Sequence, residues 1–110
     1  MHEIDFVDQT LKDAQQSLWG FLMSTDMILP IAPVMDQVGY KTIATIGGRG
    51  IIVGLRHLNE NPFERLQALA QAMPRTPLRS AAHPVLGLSS FDVEPLAATE
   101  LWVKRAVVYG

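Results

Sequence analysis

Apolar and polar positions along the chain change period several times, and each change marks an element. A short apolar run from Ile4 to Val7 has no helical spacing and predicts a first strand over about Ile4–Asp8. Ser24-Thr25-Asp26 are suited to capping free amides, so the first clear helix is expected to begin there. Met27, Ile28, Ile31, Val34, Met35 and Val38 continue it at helical spacing, and Gly39 is placed to end it. Pro30 fits the opening turns; Pro33 lies deeper and predicts a kink or a lost hydrogen bond. A second strand over about Thr42–Ile46 runs into Gly47-Gly48-Arg49-Gly50, where glycine permits a sharp turn or a close approach, and a short helix over Ile51–Leu58 follows. Asn61-Pro62-Phe63-Glu64 reads as a helix start with Asn61 as cap, Pro62 in the first turn and Glu64 placed to bond back. Phe63, Leu66, Leu69, Ala70 and Met73 form the apolar stripe of that helix, and Pro74 stops it. A weaker third strand is expected over about Pro77–Ala81, then a loop from His83 to Glu94, then a helix over about Pro95–Tyr109 that stops at Gly110.

Strands alternating with helices at intervals of roughly 35 residues imply parallel strands joined by right-handed crossovers. The fold class is therefore α/β. A closed (β/α)8 barrel takes about 250 residues, so three such units fall short of one. Three parallel strands also leave an unpaired edge and a half-covered face. The reading is the N-terminal three βα units of a TIM barrel, truncated before strand four or waiting for a partner, with residues 1–110 forming one partial domain.

Composition narrows the function classes. A hydrophobic share of 48% with 18% charged residues is that of a folded core, not a disordered tail. Nine basic and eleven acidic residues give a net charge of −2, which offers no electrostatic case for nucleic acid or an anionic membrane. The absence of cysteine excludes disulfides and thiolate-held zinc or iron–sulfur sites. The start of the chain has no signal-peptide pattern, and the most apolar window, Met27–Met35, is too short to span a bilayer, so a cytoplasmic location without membrane insertion is expected.

The chemistry-bearing segment is Asp8-Gln9-Thr10-Leu11-Lys12-Asp13-Ala14-Gln15-Gln16-Ser17, directly after strand one. Carboxylate, ammonium and amide groups at a strand's C-terminal end are where α/β folds place their sites. Together with Leu29-Pro30-Ile31-Ala32, Val38-Gly39-Tyr40, Gly47-Gly48, the run Leu55–Leu66 containing Leu58-Asn59-Glu60-Asn61-Pro62, and the run Ala72–Leu78, this segment resembles the pyruvate carboxyltransferase domains of biotin-dependent carboxylases and oxaloacetate decarboxylase alpha subunits. That branch of the barrel superfamily also includes hydroxymethylglutaryl-CoA lyase. The resemblance runs from about Ile4 to Leu78 and fades beyond it.

The resemblance implies a metal-dependent enzyme of pyruvate or oxaloacetate that uses carboxybiotin. It implies Asp13 as a ligand of a divalent metal (Zn, Mn or Co), Gln16 as a substrate contact, and Lys12 as the cation that stabilises negative charge. It further implies biotin on a separate domain or subunit, a small 2-oxo acid as substrate, and an oligomeric partner or the remainder of a barrel. Several positions depart from the pattern. Lys12 stands where the family has arginine, losing the planar fork that binds carboxylates bidentately. Gln15 replaces a common histidine, Ala44 a strand-two glutamate and Ile52 an acidic residue. His83 falls where the family has a substrate-binding arginine, which it replaces only when protonated.

Plainer expectations stand beside these. Lys12–Asp13 reads equally as a loop ion pair, Gln16 as an amide satisfying backbone, the Gly47-Gly48 pair as a tight turn, and His57 as an exposed residue. Met23, Met27, Met35 and Met73 are expected to pack, and Trp102 to join helix to sheet. The isolated chain is expected to be inactive. Two alternatives remain open: a divergent lyase or aldolase using enolate chemistry, and a non-catalytic remnant or assembly subunit.

Overall fold

A computed structural model of the chain describes residues 2–81 and 96–109. Three strands, β1 (Val7–Asp8), β2 (Thr42–Gly47) and β3 (Leu78–Ala81), form one parallel sheet in the order β1-β2-β3. Val7 pairs with Thr42 and Asp8 with Ile43; on the other side Ile43 pairs with Leu78 and Gly47 with Ala81. The register shifts between Ala44 and Ile46, so Thr45 is the extra residue of a bulge, and its hydroxyl donates to the Arg79 carbonyl at 3.4 Å. The α/β class and parallel pairing expected from the alternation are therefore present. β1 is shorter than expected, because Ile4 and Phe6 precede the pairing and lie exposed.

Helical structure begins earlier than expected. A π-helical turn over Thr10–Ala14 runs into α1 (Gln15–Trp19), which Gly20 caps in the left-handed region at φ 58°. The segment expected to be one helix from Ser24 to Gly39 is two, α2 (Thr25–Ile28) and α3 (Ala32–Gln37). In an unbroken helix Pro33 would deprive the Leu29 carbonyl of its donor and press its ring on that turn. Breaking the chain at Leu29–Ile31 puts Pro33 in the first turn of α3, where no donor is needed. Ser24 caps α2 as expected, its Oγ accepting from the Met27 amide, and Gly39 leaves α3 at φ 86°.

The buried face of this helix pair is Ile28, Ala32 and Asp36, with Met35 packed against the core as expected. Met27, Ile31, Val34 and Val38 lie on the opposite, exposed face. α4 (Gly48–Val53) starts directly from β2, so the glycine segment is helix, not a turn, and a second π-helical turn over Gly54–Leu58 ends at left-handed Asn59. Gly50 lies close to the Phe21 ring: a Cβ there would sit 3.2 Å from it, so the ring would have to give by a few tenths of an ångström.

α5 (Pro62–Ala72) has the expected cap, Asn61 Oδ1 accepting from the Phe63 amide at 3.0 Å, although Glu64 binds the Asn61 side-chain amide in place of its backbone. Leu66, Leu69 and Met73 are buried, and with Leu11, Ile28, Ala32 and Ile43 they fill the space between sheet and helices. α6 (Leu96–Tyr109) carries Trp102 against Phe63 of α5 at a ring separation of 5.0 Å, a helix-to-helix contact where a helix-to-sheet one was expected. Among the described residues no helix is long and apolar enough to cross a membrane.

Candidate functional site

The strand-one loop is built on a single carbonyl. Gln9 O accepts from the amides of Lys12, Asp13 and Ala14 at 3.2, 2.8 and 3.2 Å, which winds the π-helical turn tightly after β1. Asp8 starts the turn, its carboxylate accepting from the Thr10 amide at 3.0 Å and the Thr10 hydroxyl at 2.9 Å. Asp8 is therefore a turn former. Leu11 points inward, 1% exposed, and anchors the turn in the core.

That anchoring presents Lys12 and Asp13 together. Lys12 Nζ donates to Asp13 Oδ1 at 2.6 Å. The Lys12 side chain is only 15% exposed and the Asp13 side chain 54%, so the ammonium lies against protein while the carboxylate faces outward with Oδ2 open. The pair serves equally as the expected ion pair and as a charged point for a ligand. Gln16 lies one residue beyond Gln15 in α1, half-buried, and its amide has no partner among the described residues. The turn brings Lys12 and Asp13 into contact and Gln16 follows on the first turn of α1; His83 lies outside the described residues.

Ala44, at the position of the family's glutamate, is buried in β2 and offers no carboxylate to Lys12. Among the described residues no group of three or more histidine, cysteine, aspartate or glutamate side chains is placed to hold a metal. Three or more protein donors are the usual requirement, so the described residues do not fit a metal by themselves; Asp13 is one donor. His57 is exposed, as expected.

The sequence reading missed a polar network behind this turn. Gln15 is 5% exposed; its Nε2 donates to the Leu11 carbonyl at 2.8 Å and its Oε1 accepts from the Met23 amide at 3.3 Å. Arg65 of α5 donates from Nη1 to the Met23 carbonyl and to Glu60 Oε2, both at 3.0 Å. Glu60 also accepts from the Thr25 amide and hydroxyl, each at 2.8 Å, and so caps the start of α2. Burial acts to raise the Glu60 carboxyl, but the Thr25 hydrogen bonds and the Arg65 guanidinium outweigh it and hold the carboxyl below the usual glutamate value. Glu60 was visible as part of Leu58-Asn59-Glu60-Asn61-Pro62. Its partner, 35 residues away, was not.

No protein-family model matches the chain. A pyruvate carboxylase subunit of Methanocaldococcus jannaschii is 45% identical over 76 residues, covering 69% of this chain and 13% of that protein. The large subunit of 2-oxoglutarate carboxylase from Hydrogenobacter thermophilus is 38% identical over 77 residues, covering 70% of this chain and 12% of its own length. Among solved structures, the carboxyl transferase domain of Rhizobium etli pyruvate carboxylase with 3-hydroxypyruvate superposes on 98% of this chain and 18% of that chain, with TM-score 0.86 and 25% identity. The same domain with oxamate and biotin superposes with TM-score 0.84. The chain spans less than a fifth of these relatives. With the sequence and fold likenesses in agreement, the chain belongs to the pyruvate carboxyltransferase domain family, matching a minor part of its longer members.

Proposed function

We propose that this chain supplies the opening three βα units of a carboxyltransferase barrel acting on pyruvate or oxaloacetate with carboxybiotin. The observation that supports the reading is the strand-one turn, with Lys12 and Asp13 paired after β1 and Gln16 following in α1, in a chain 45% identical to the archaeal pyruvate carboxylase polypeptide over 76 residues. The exposed apolar faces support the barrel. Ile4, Phe6 and Val7 beside β1, and Met27, Ile31, Val34 and Val38 on the helix pair, form surfaces that further barrel elements would cover.

In this reading the Lys12 ammonium stabilises negative charge developing on the oxygen of a 2-oxo acid, and the Gln16 amide donates to the same carbonyl group. His83, when protonated, pairs with the substrate carboxylate. Asp13 would give one oxygen to a divalent ion (Zn, Mn or Co), whose other ligands would come from elements beyond the described ones and which would polarise the substrate carbonyl. The biotin carrier is a separate domain or subunit, and the 110-residue chain alone has no turnover.

The test is a chimera in which residues 4–78 replace the matching segment of the Methanocaldococcus jannaschii protein. Oxaloacetate formation from pyruvate and carboxybiotin is expected. Acyl-CoA cleavage in its place would favour the lyase alternative, and a folded chimera with neither activity would favour an assembly role.

A further inference from the structure

Leu11 packs the Lys12–Asp13 turn into the core, and one buried polar side chain joins it to the segment beyond α1. Gln15 is more than nine-tenths buried, and both ends of its amide are used. Nε2 holds the Leu11 carbonyl, the peptide that leads into Lys12, and Oε1 holds the amide of Met23, beyond the whole α1 excursion. Between them the chain passes through Gly20 and Phe21, both in the left-handed region, at φ 58° and 66°. For a phenylalanine that conformation is strained and costs about 1–2 kcal/mol, so it persists only where its surroundings over-determine it.

Two restraints supply that over-determination. The Phe21 ring is buried against Gly50 and Ile46, and the Met23 backbone is held on either side of its Cα, by Gln15 at the amide and by Arg65 at the carbonyl. Arg65 is itself fixed by Glu60, and Glu60 by Thr25. Nε–H of Arg65 is buried without a partner among the described residues, and its bonds to the Met23 carbonyl and Glu60 both run from Nη1.

We propose that Gln15 and Arg65 are positioning residues. Through the backbone of Met23 they fasten the Lys12–Asp13 turn to α5, and Gln15 sets the orientation in which the turn presents its ion pair. As a role in catalysis this rests on the carboxyltransferase reading; as a role in fixing the turn it does not.

The experiment is residue-resolved amide hydrogen exchange on the 110-residue chain, comparing Lys12, Asp13 and Ala14, whose amides bind Gln9 O, with Ile43, whose amide binds the Pro77 carbonyl in the core. Gln15→Leu keeps the side-chain volume and removes both bonds. The ratio of exchange at residues 12–14 to that at Ile43 is expected to rise about tenfold. An unchanged ratio, including a parallel rise at all sites, overturns the proposal.

Arg65→Met gives the second test, because it removes the bonds to the Met23 carbonyl and to Glu60 and keeps an apolar stem. The same ratio is expected to rise severalfold, and an unchanged ratio, including a parallel rise at all sites, overturns the proposal. An inactive chimera would undo the carboxyltransferase reading and leave these ratios untouched.

Discussion

Asp36 and Asp13 are the same side chain put to opposite uses. Asp36, on α3, is 6% exposed; its carboxylate accepts from the Arg75 amide at 3.1 Å and the Thr76 amide at 2.8 Å, and its carbonyl accepts from the Thr76 hydroxyl. It ties the helix pair to the turn that leads into β3, at the N-terminal end of that strand. Asp13 follows the C-terminal end of β1, stands half in solvent, and has one partner, a lysine at 2.6 Å. A carboxylate whose lone pairs are taken by buried amides serves structure; one that keeps an oxygen free is available for chemistry. In parallel α/β architecture these two ends of the strands divide in that way.

The contrast predicts a graded series. Asp36→Ala leaves two backbone amides without acceptors in a buried turn, and is expected to lower unfolding free energy by about 3 kcal/mol in a denaturant titration. A loss below about 1 kcal/mol would erase the distinction between the two aspartates. Glu60→Gln is intermediate, because the amide keeps an acceptor oxygen for Thr25 but loses the charge that faces Arg65; a loss of about 1–2 kcal/mol near neutral pH is expected.

The pH dependence of that loss sharpens the comparison. The folded-state value of Glu60 is depressed below the usual 4.5, so its stabilisation is fully present above the unfolded value and fades as pH falls through the folded one. The gap between parent and Glu60→Gln should therefore narrow in acid. A gap that widens as pH falls would contradict the assignment of Glu60 as an ionised cap. Smallest of all, Asp13→Ala is expected to change unfolding free energy by no more than about 0.5 kcal/mol, since an ion pair with a half-exposed partner contributes little.

What the sequence made legible was local. Asn61-Pro62 announced the start of α5, Ser24 that of α2 and Gly39 the exit from α3, because caps and left-handed exits depend on residues within a turn of each other. The break at Leu29–Ile31 depended on the spacing of two prolines, and apolar periodicity read straight through it. Met27 was expected to pack and is exposed, as are Ile31, Val34 and Val38, because a repeating apolar pattern identifies a face but not what covers it. In the site, Lys12, Asp13 and Gln16 were legible from wording alone. The roles of Gln15, Arg65 and Thr25 were not, because their partners lie between 8 and 42 residues away.

The claim that Asp13 acts while Asp36 builds meets its most direct test in the chimera carrying residues 4–78, by measuring oxaloacetate formation alongside the unfolding midpoint of Asp13→Ala. Turnover is expected to fall by at least about a hundredfold, as loss of a metal-site donor would cause, with the midpoint unmoved. Turnover within about twofold of the parent, a difference worth only about 0.4 kcal/mol, would contradict the account.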